Sequence, residues 1–374
     1  MGEWRNYHIY YTNLDKLIIE CVHPLLLRRD SELENCFWER HYAGGPHLRV
    51  RLKGDDPGVD EVGAELIRET RQFLASHPST PIDNYSPEAV KKLLSWEDEG
   101  VEDEDLVYRL DEILERPYQR VEHRLASDEA AALLEDFLHD SMPLTIAILK
   151  SERPKMVEVL RLYFLEALFV SGNLPGGCVS FKSHWEGLAA FFASRHGLNE
   201  RIKENYLKKR DTIIELMLEV KGAYDSGSIE KDPILRHWHD LMQRNRARTK
   251  AILDSGQHVT KQATNLEEAR WSKQYMEERK LEHNPFLNTL WSDERFMASI
   301  QYEYSMLWPR VLTNLLYSLA AVVGLKLIDK MTLCYYAHRA AEDYFECDLT
   351  DILKETVKEI IDKNKHRFPS SDAR

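Results

Sequence analysis

The chain has 374 residues, 43% hydrophobic and 30% charged, which excludes a disordered polymer and allows one large domain or two ordinary ones. Its formal net charge of −13 argues against general attraction to nucleic acid or to a membrane surface, while a local basic pocket stays open. The five cysteines, Cys21, Cys36, Cys178, Cys334 and Cys347, are scattered and include no Cys-x-x-Cys pair, which points away from disulfides and thiolate zinc and toward a reducing cytosol.

The start, "MGEWRNYHIYY", lacks the basic-then-apolar order of a signal peptide, so a cytoplasmic protein is expected. "WRNYHIYYT" reads as a strand, and "LDKLIIECVHPLLLRR" as a helix broken at Pro24. "NCFWERHY" and "HLRVRLKG" form a hairpin-like pair around "AGGP". Next, "GVDEVGAELIRETRQFLASH" is an amphipathic helix with Val62, Leu66, Ile67, Phe73 and Leu74 on its apolar side. Strand, helix, two strands and a helix outline a ferredoxin-like unit. The acidic run from Glu97 to Asp105 reads as a solvated loop or helix face, or as a docking strip for a basic partner.

From about Asp128 the pattern is helical almost throughout, and the stretch near 255–285 is polar, mostly helical and peripheral. The longest uncharged run, Val311 to Leu325, falls short of the ~20 residues that a spanning helix needs and reads as buried. The expected class is α+β: one domain over 1–374, with a ferredoxin-like mixed sheet in 1–127 and a helical body in 128–374 packed on it.

The motifs of metal, mononucleotide, dinucleotide and α/β-hydrolase sites are missing, so neither metal nor cofactor is expected. "GNLPGGCVSF" reads as a turn between helices. Three constellations remain. In "HLRVRLKG" the alternation puts His47, Arg49 and Arg51 on one strand face and Leu48, Val50 and Leu52 on the other. Two guanidiniums in a row suit an anionic or carbonyl group; the plain alternative is a solvent-facing surface paired with acids such as Glu39. In "ERPYQRVEHRL", helical geometry would set Arg120 beside Arg124 and Tyr118 beside Glu122. In "SFKSHWEG", Ser183 or His184 would start a helix, with Glu186 completing a capping box.

"FWERHYAGGPHLRVRLKG" resembles the segment that opens the SpaB-type C-terminal domain of lantibiotic dehydratases and the stand-alone thiopeptide-type bacteriocin biosynthesis proteins. "WRNYHIYY" stands in the right place before it, "YQRVEHRL" is similar to the family's Tyr-Glu-Arg stretch, and "LCYYAHRAAEDYF" resembles its closing helix. The resemblance implies an enzyme acting on a ribosomally made precursor peptide, leader and dehydrated core together, without a cofactor, and other modifying enzymes as potential partners. One branch of the family eliminates glutamate from glutamylated Ser or Thr. Another joins two dehydroalanines in a formal [4+2] cycloaddition and loses water and leader to give a thiopeptide's pyridine core. Eliminating members carry a late-helix His, where "NLLYSLAAVVGLKL" has Tyr317 and Ser318; this favours cycloaddition. A non-catalytic, leader-binding scaffold is the remaining alternative. Under the leading reading Arg49 and Arg51 orient the peptide backbone, with His47, Arg124 and Tyr317 binding substrate. Tyr118, Glu122 or His184 would tautomerise the amide between the dehydroalanines, helped by Ser318.

Overall fold

Alternating apolar and polar residues build four strands: β1 (Glu3–Tyr10), β2 (Asn35–His41), β3 (His47–Gly54) and β4 (Ile113–Arg116). They pair in the order β2-β3-β1-β4, the ferredoxin-like arrangement, and every pairing is antiparallel where a mixed sheet was expected. The structure is a computed structural model and describes residues 2–83, 85–95, 106–118, 120, 127–191, 197–257, 259, 284–291, 293, 296, 299–300 and 303–363. The acidic run 97–105, and residues 260–283 of the polar stretch, lie outside the described residues.

The chain divides into two units, one of Met1–Lys150 with Ala321–Gly324, the other of Ser151–Ala320 with Leu325–Arg374. In the first, one sheet face carries Tyr7, Ile9, Cys36, Trp38, Leu48, Val50 and Leu52, all buried. Helices α1 (Leu14–Leu17), α2 (His23–Arg29) and α3 (Asp56–Ser76) belong to this side. Val59, Val62, Leu66 and Leu74 of α3 are buried at helical spacing. Gly63 of α3 lies so close to β1 that an added Cβ would stand 2.1 Å from the Tyr7 hydroxyl. Pro24 does not break the helical stretch as expected. A π-helical turn, Ile18–Val22, links α1 to α2, and the His23 N–H reaches back to the Ile18 carbonyl. The wider turn puts Pro24 in the first turn of α2, where no donor is demanded of it.

After α3 come α4 (Pro87–Ser95), then β4, α5 (Asp128–Asp140) and α6 (Met142–Lys150). Residues 113–116 extend β1's edge, so Glu115 and Arg116 are extended and do not share the helical geometry considered for 115–125. The β2–β3 turn is held from outside: Gly44 N donates to the Tyr85 hydroxyl at 2.8 Å and Arg109 N donates to the Gly44 carbonyl at 2.7 Å. Gly45 adopts a φ of 112° against the Tyr108 ring, a conformation and a closeness that favour glycine.

In the second unit, α7 (Lys155–Ser171) is buried from Glu158 through Leu168, the mark of a helix enclosed on all sides. Around it pack α8 (Leu174–Phe191), α9 (Leu198–Asp225), α10 (Pro233–Asp254) and, after α11 (Pro285–Trp291) and α12 (Tyr304–Val323), α13 (Leu327–Phe345). Helix α14 (Leu349–Lys363) packs on α8 and α11. Buried charges are paired: Arg161 with Glu158 at 2.6 Å and with Asp232, and Lys182 with Glu342 at 2.6 Å and Asp348 at 2.9 Å. Helix α12 is long and apolar enough to cross a membrane by length and composition, beyond the run noted in the sequence, and 67% of its most apolar 18-residue stretch is buried within the protein.

Candidate functional site

The second face of the sheet is polar and aromatic. The register sets His47 of β3 opposite Tyr10 and His41, Arg49 opposite His8 and Glu39, and Arg51 opposite Asn6 and Phe37. All these residues share one face because alternation on three antiparallel strands keeps step. The alternation expected for His47, Arg49 and Arg51 is therefore what the sheet displays. Arg51 is only 3% exposed, so the solvent-facing alternative does not hold for it, although its expected partner Glu39 does bind it across the strands. Its guanidinium lies 5.4 Å from the Phe37 ring centre and 5.0 Å from that of Tyr118. Arg49 is half-buried and donates to His41 Nδ1 at 3.0 Å.

Three imidazoles flank the arginines. The His47 ring stacks 5.0 Å from His8 and lies 5.1 Å from His41. His47 donates Nδ1–H to the Gly45 carbonyl at 3.0 Å, which leaves Nε2 a bare, buried acceptor without a partner among the described residues. His41 Nδ1 accepts from Ala43 N at 3.2 Å, and His8 Nε2 accepts from the Asn6 amide at 3.1 Å. Burial, reinforced by Arg49 and Arg51, pushes His8 down to about 2. Burial, with His41 and Arg49 adding to it, holds His47 far below its ordinary value. Both rings are neutral at pH 7.

Below Arg51, Arg120 grips Glu135 of α5 with two prongs, Nε at 2.8 Å and Nη2 at 2.9 Å, and reaches Asp128 at 3.1 Å. The Tyr118 hydroxyl donates to Glu135 at 2.8 Å, and burial raises its pKa far above that of a free tyrosine. Phe37, Glu39, Tyr118, Arg120, Leu134, Glu135 and Leu138 surround a hollow of about 10 Å³, room for one water-sized group. Glu122 and Arg124 lie outside the described residues.

His184, Tyr317 and Ser318 belong to the second unit. Ser183 and His184 sit within α8 and do not start it. The cap is Asn173, whose Oδ1 accepts from Gly176 N at 2.8 Å, so the "GNLPGG" stretch is a turn only at its beginning. Glu186 accepts from Asn284 at 2.7 Å instead of closing a capping box. His184 donates Nδ1–H to the Ser180 carbonyl at 2.9 Å, its ring edge-on to Tyr317 at 4.8 Å, and burial lowers it to about 4. The Tyr317 hydroxyl is 3.4 Å from Cys334 Sγ, and Ser318 donates to the Asn314 carbonyl at 3.1 Å. Nearby, Glu166 accepts from Thr313 at 2.7 Å, and full burial raises its carboxyl to about 8.

The sequence reading did not single out His8, His41, Phe37 or Glu135. Glu135 carried a signal, standing in the apolar stripe of Ala131, Leu134 and Leu138 where a solvated acid has no place. Among the described residues, Asp30, Cys36 and His139 bring ligand-type atoms within 4.8 Å of one another. His139 Nδ1–H is engaged with the Cys36 carbonyl at 2.8 Å, and burial pushes the Cys36 thiol to about 12, so a thiolate is costly there.

Residues 4–341 match the family described as lantibiotic biosynthesis dehydratase C-term. Among solved structures, the chain is similar to a pyridine synthase, TbtD, from thiomuracin biosynthesis. The identity is 20% and the TM-score 0.69, covering 92% of this chain and 99% of that one. It is also similar to TsrL at 15% identity and a TM-score of 0.66, covering 95% of this chain and 98% of that one. These likenesses establish a shared fold. None of the curated proteins matches.

Proposed function

The chain belongs to the lantibiotic biosynthesis dehydratase C-terminal family, and from that premise we propose that it matures a ribosomally made peptide by joining two dehydroalanines into the pyridine core of a thiopeptide. The formal [4+2] addition needs the intervening amide in its imidic form, a shift of one proton from nitrogen to oxygen. Water and leader then leave, and the six-membered ring becomes aromatic. Hydrogen-bond donors at the amide oxygen and an acceptor at nitrogen are sufficient means, so the reaction asks for no cofactor.

The observation that carries the reading is Arg51, charged yet almost wholly buried between two aromatic rings on a face shared with Arg49 and His47. A guanidinium shielded from water polarises a carbonyl far better than one in solvent. In this reading Arg49 and Arg51 orient peptide carbonyls and His47 Nε2 accepts a peptide N–H. The Tyr118 hydroxyl, with its raised pKa, acts as a donor and not as a base. His184, neutral at pH 7, offers Nε2 as an acceptor, while Tyr317 and Ser318 supply hydroxyls where eliminating relatives need a histidine base. Glu122 and Arg124 are assigned the proton-transfer and binding roles that the resemblance gives them. The full-length fold likeness to a pyridine synthase, TbtD, adds support.

The test is to incubate the purified protein with a dehydrated, azole-bearing precursor and weigh the product. Loss of leader plus water is expected. Loss of glutamate from a glutamylated precursor would instead mean elimination, and an unchanged mass would mean a leader-binding scaffold.

A further inference from the structure

The guanidinium that lines the hollow, Arg120, is already gripped by the protein's own acids, and the other acid on the same wall, Glu39, pairs with Arg51 beside it. Arg51 is held by Glu39, and Arg120 by Glu135 and Asp128, so two cations face three carboxylates. The Arg120–Glu135 contact is two-pronged, the geometry an incoming carboxylate would itself seek. Tyr118 spends its hydroxyl on the same Glu135 oxygen. The space left over, about 10 Å³ walled by Phe37, Leu134 and Leu138, admits one carbonyl oxygen but not a carboxylate-bearing side chain.

We infer that Glu39 and Glu135 are specificity residues which make this face accept uncharged, dehydrated peptide and refuse a glutamylated one. A glutamyl carboxylate arriving at this hollow would meet two carboxylates, Glu39 and Glu135, with the lining Arg120 already engaged by one of them, and displacing Glu135 would strand a buried acid. A dehydroalanine residue carries no charge, and its carbonyl oxygen is the only part that need enter the hollow. This inference rests on the proposed peptide-binding role of the face and adds to it which peptides are turned away.

The experiment measures fluorescence anisotropy at pH 7 with two labelled probes. One is a short glycine-alanine peptide with two dehydroalanines; the other carries glutamylated serines at those positions. The full wild-type chain should bind the dehydrated probe at least about tenfold more tightly, the scale of one charge-assisted contact. Glu39→Gln, a change at a residue whose side chain is 32% exposed, should shrink the ratio to within about threefold by admitting the anionic probe. Equal binding of the two probes by wild type overturns the inference without recourse to any variant, as does an unchanged ratio in a folded Glu39→Gln. Failure to form product while the preference persists overturns the proposed reaction and leaves the selectivity standing. Product formation together with equal binding does the reverse.

Discussion

Replacing Arg51 by alanine removes a buried cation that Glu39, Phe37 and Tyr118 all contact. Breaking a fully buried ion pair costs about 3–5 kcal/mol, because the remaining charge loses its partner in a poor solvent. Glu39 keeps 32% of its side chain in water, so its stranded carboxylate is partly rescued and the cost falls to about 2–3 kcal/mol. Loss of the two ring contacts adds about 1 kcal/mol, for roughly 3–4 kcal/mol in all. A domain with a stability of about 5–15 kcal/mol survives that, so Arg51→Ala should fold at 25 °C and yet give no product. The double variant Arg51→Met with Glu39→Gln removes both charges and keeps the volume, and should cost only about 1–2 kcal/mol. Urea unfolding followed by tryptophan fluorescence is suited to the measurement, since Trp4 lies 4.8 Å from the Tyr118 ring and Trp38 is buried in the same sheet. Additive costs, with coupling below about 0.5 kcal/mol, would refute the argument that this pair is desolvated. So would full turnover by Arg51→Ala, which would also remove the arginine from the chemistry.

Burial raises Glu166 to about 8 from an ordinary 4.5, so the folded second unit retains a proton that the unfolded chain releases. Stability from this group is fully present below about 4.5 and falls by roughly 1.4 kcal/mol per pH unit up to about 8. Glu166→Gln should therefore stabilise the protein at pH 8 by a few kcal/mol and change little at pH 5; an equal effect at both, in urea melts, would contradict a buried, protonated acid. Gly63→Ala would drive a methyl group to 2.1 Å from the Tyr7 hydroxyl and should cost about 1–3 kcal/mol. Adding Tyr7→Phe, which deletes the clashing oxygen, should restore part of that in a thermal melt, and no restoration would mean that the backbone yields instead.

The basic face was legible because Leu48, Val50 and Leu52 alternate with His47, Arg49 and Arg51, and a strand has no other way to sort them. The helix α3 was legible for the same kind of reason, with Val62, Leu66 and Leu74 at helical spacing. Strand β4 was not. "ILER" is short and half charged, and its extended form comes from pairing with Asn6 to Ile9 more than from any preference of its own. The register that unites His8 and His41 with the arginines is likewise set between strands distant in sequence. The start of α8 was misplaced because Ser183 and Glu186 have capping spacing, yet Asn173 ten residues earlier holds the actual cap. Glu135 was passed over as one more acid in an acidic chain; only its neighbours Leu134 and Leu138 mark it as facing inward.

A row of imidazoles is ordinarily an invitation to sense acidity. Here His8 and His47 do the opposite, because Arg49 and Arg51 at their side and burial around them forbid a second proton. Each neutral ring thus resembles a backbone amide in carrying one donor and one acceptor at once. These two rings keep the same polarity from mildly acid to mildly alkaline surroundings, a fixed pattern that a modest change of pH does not rewrite.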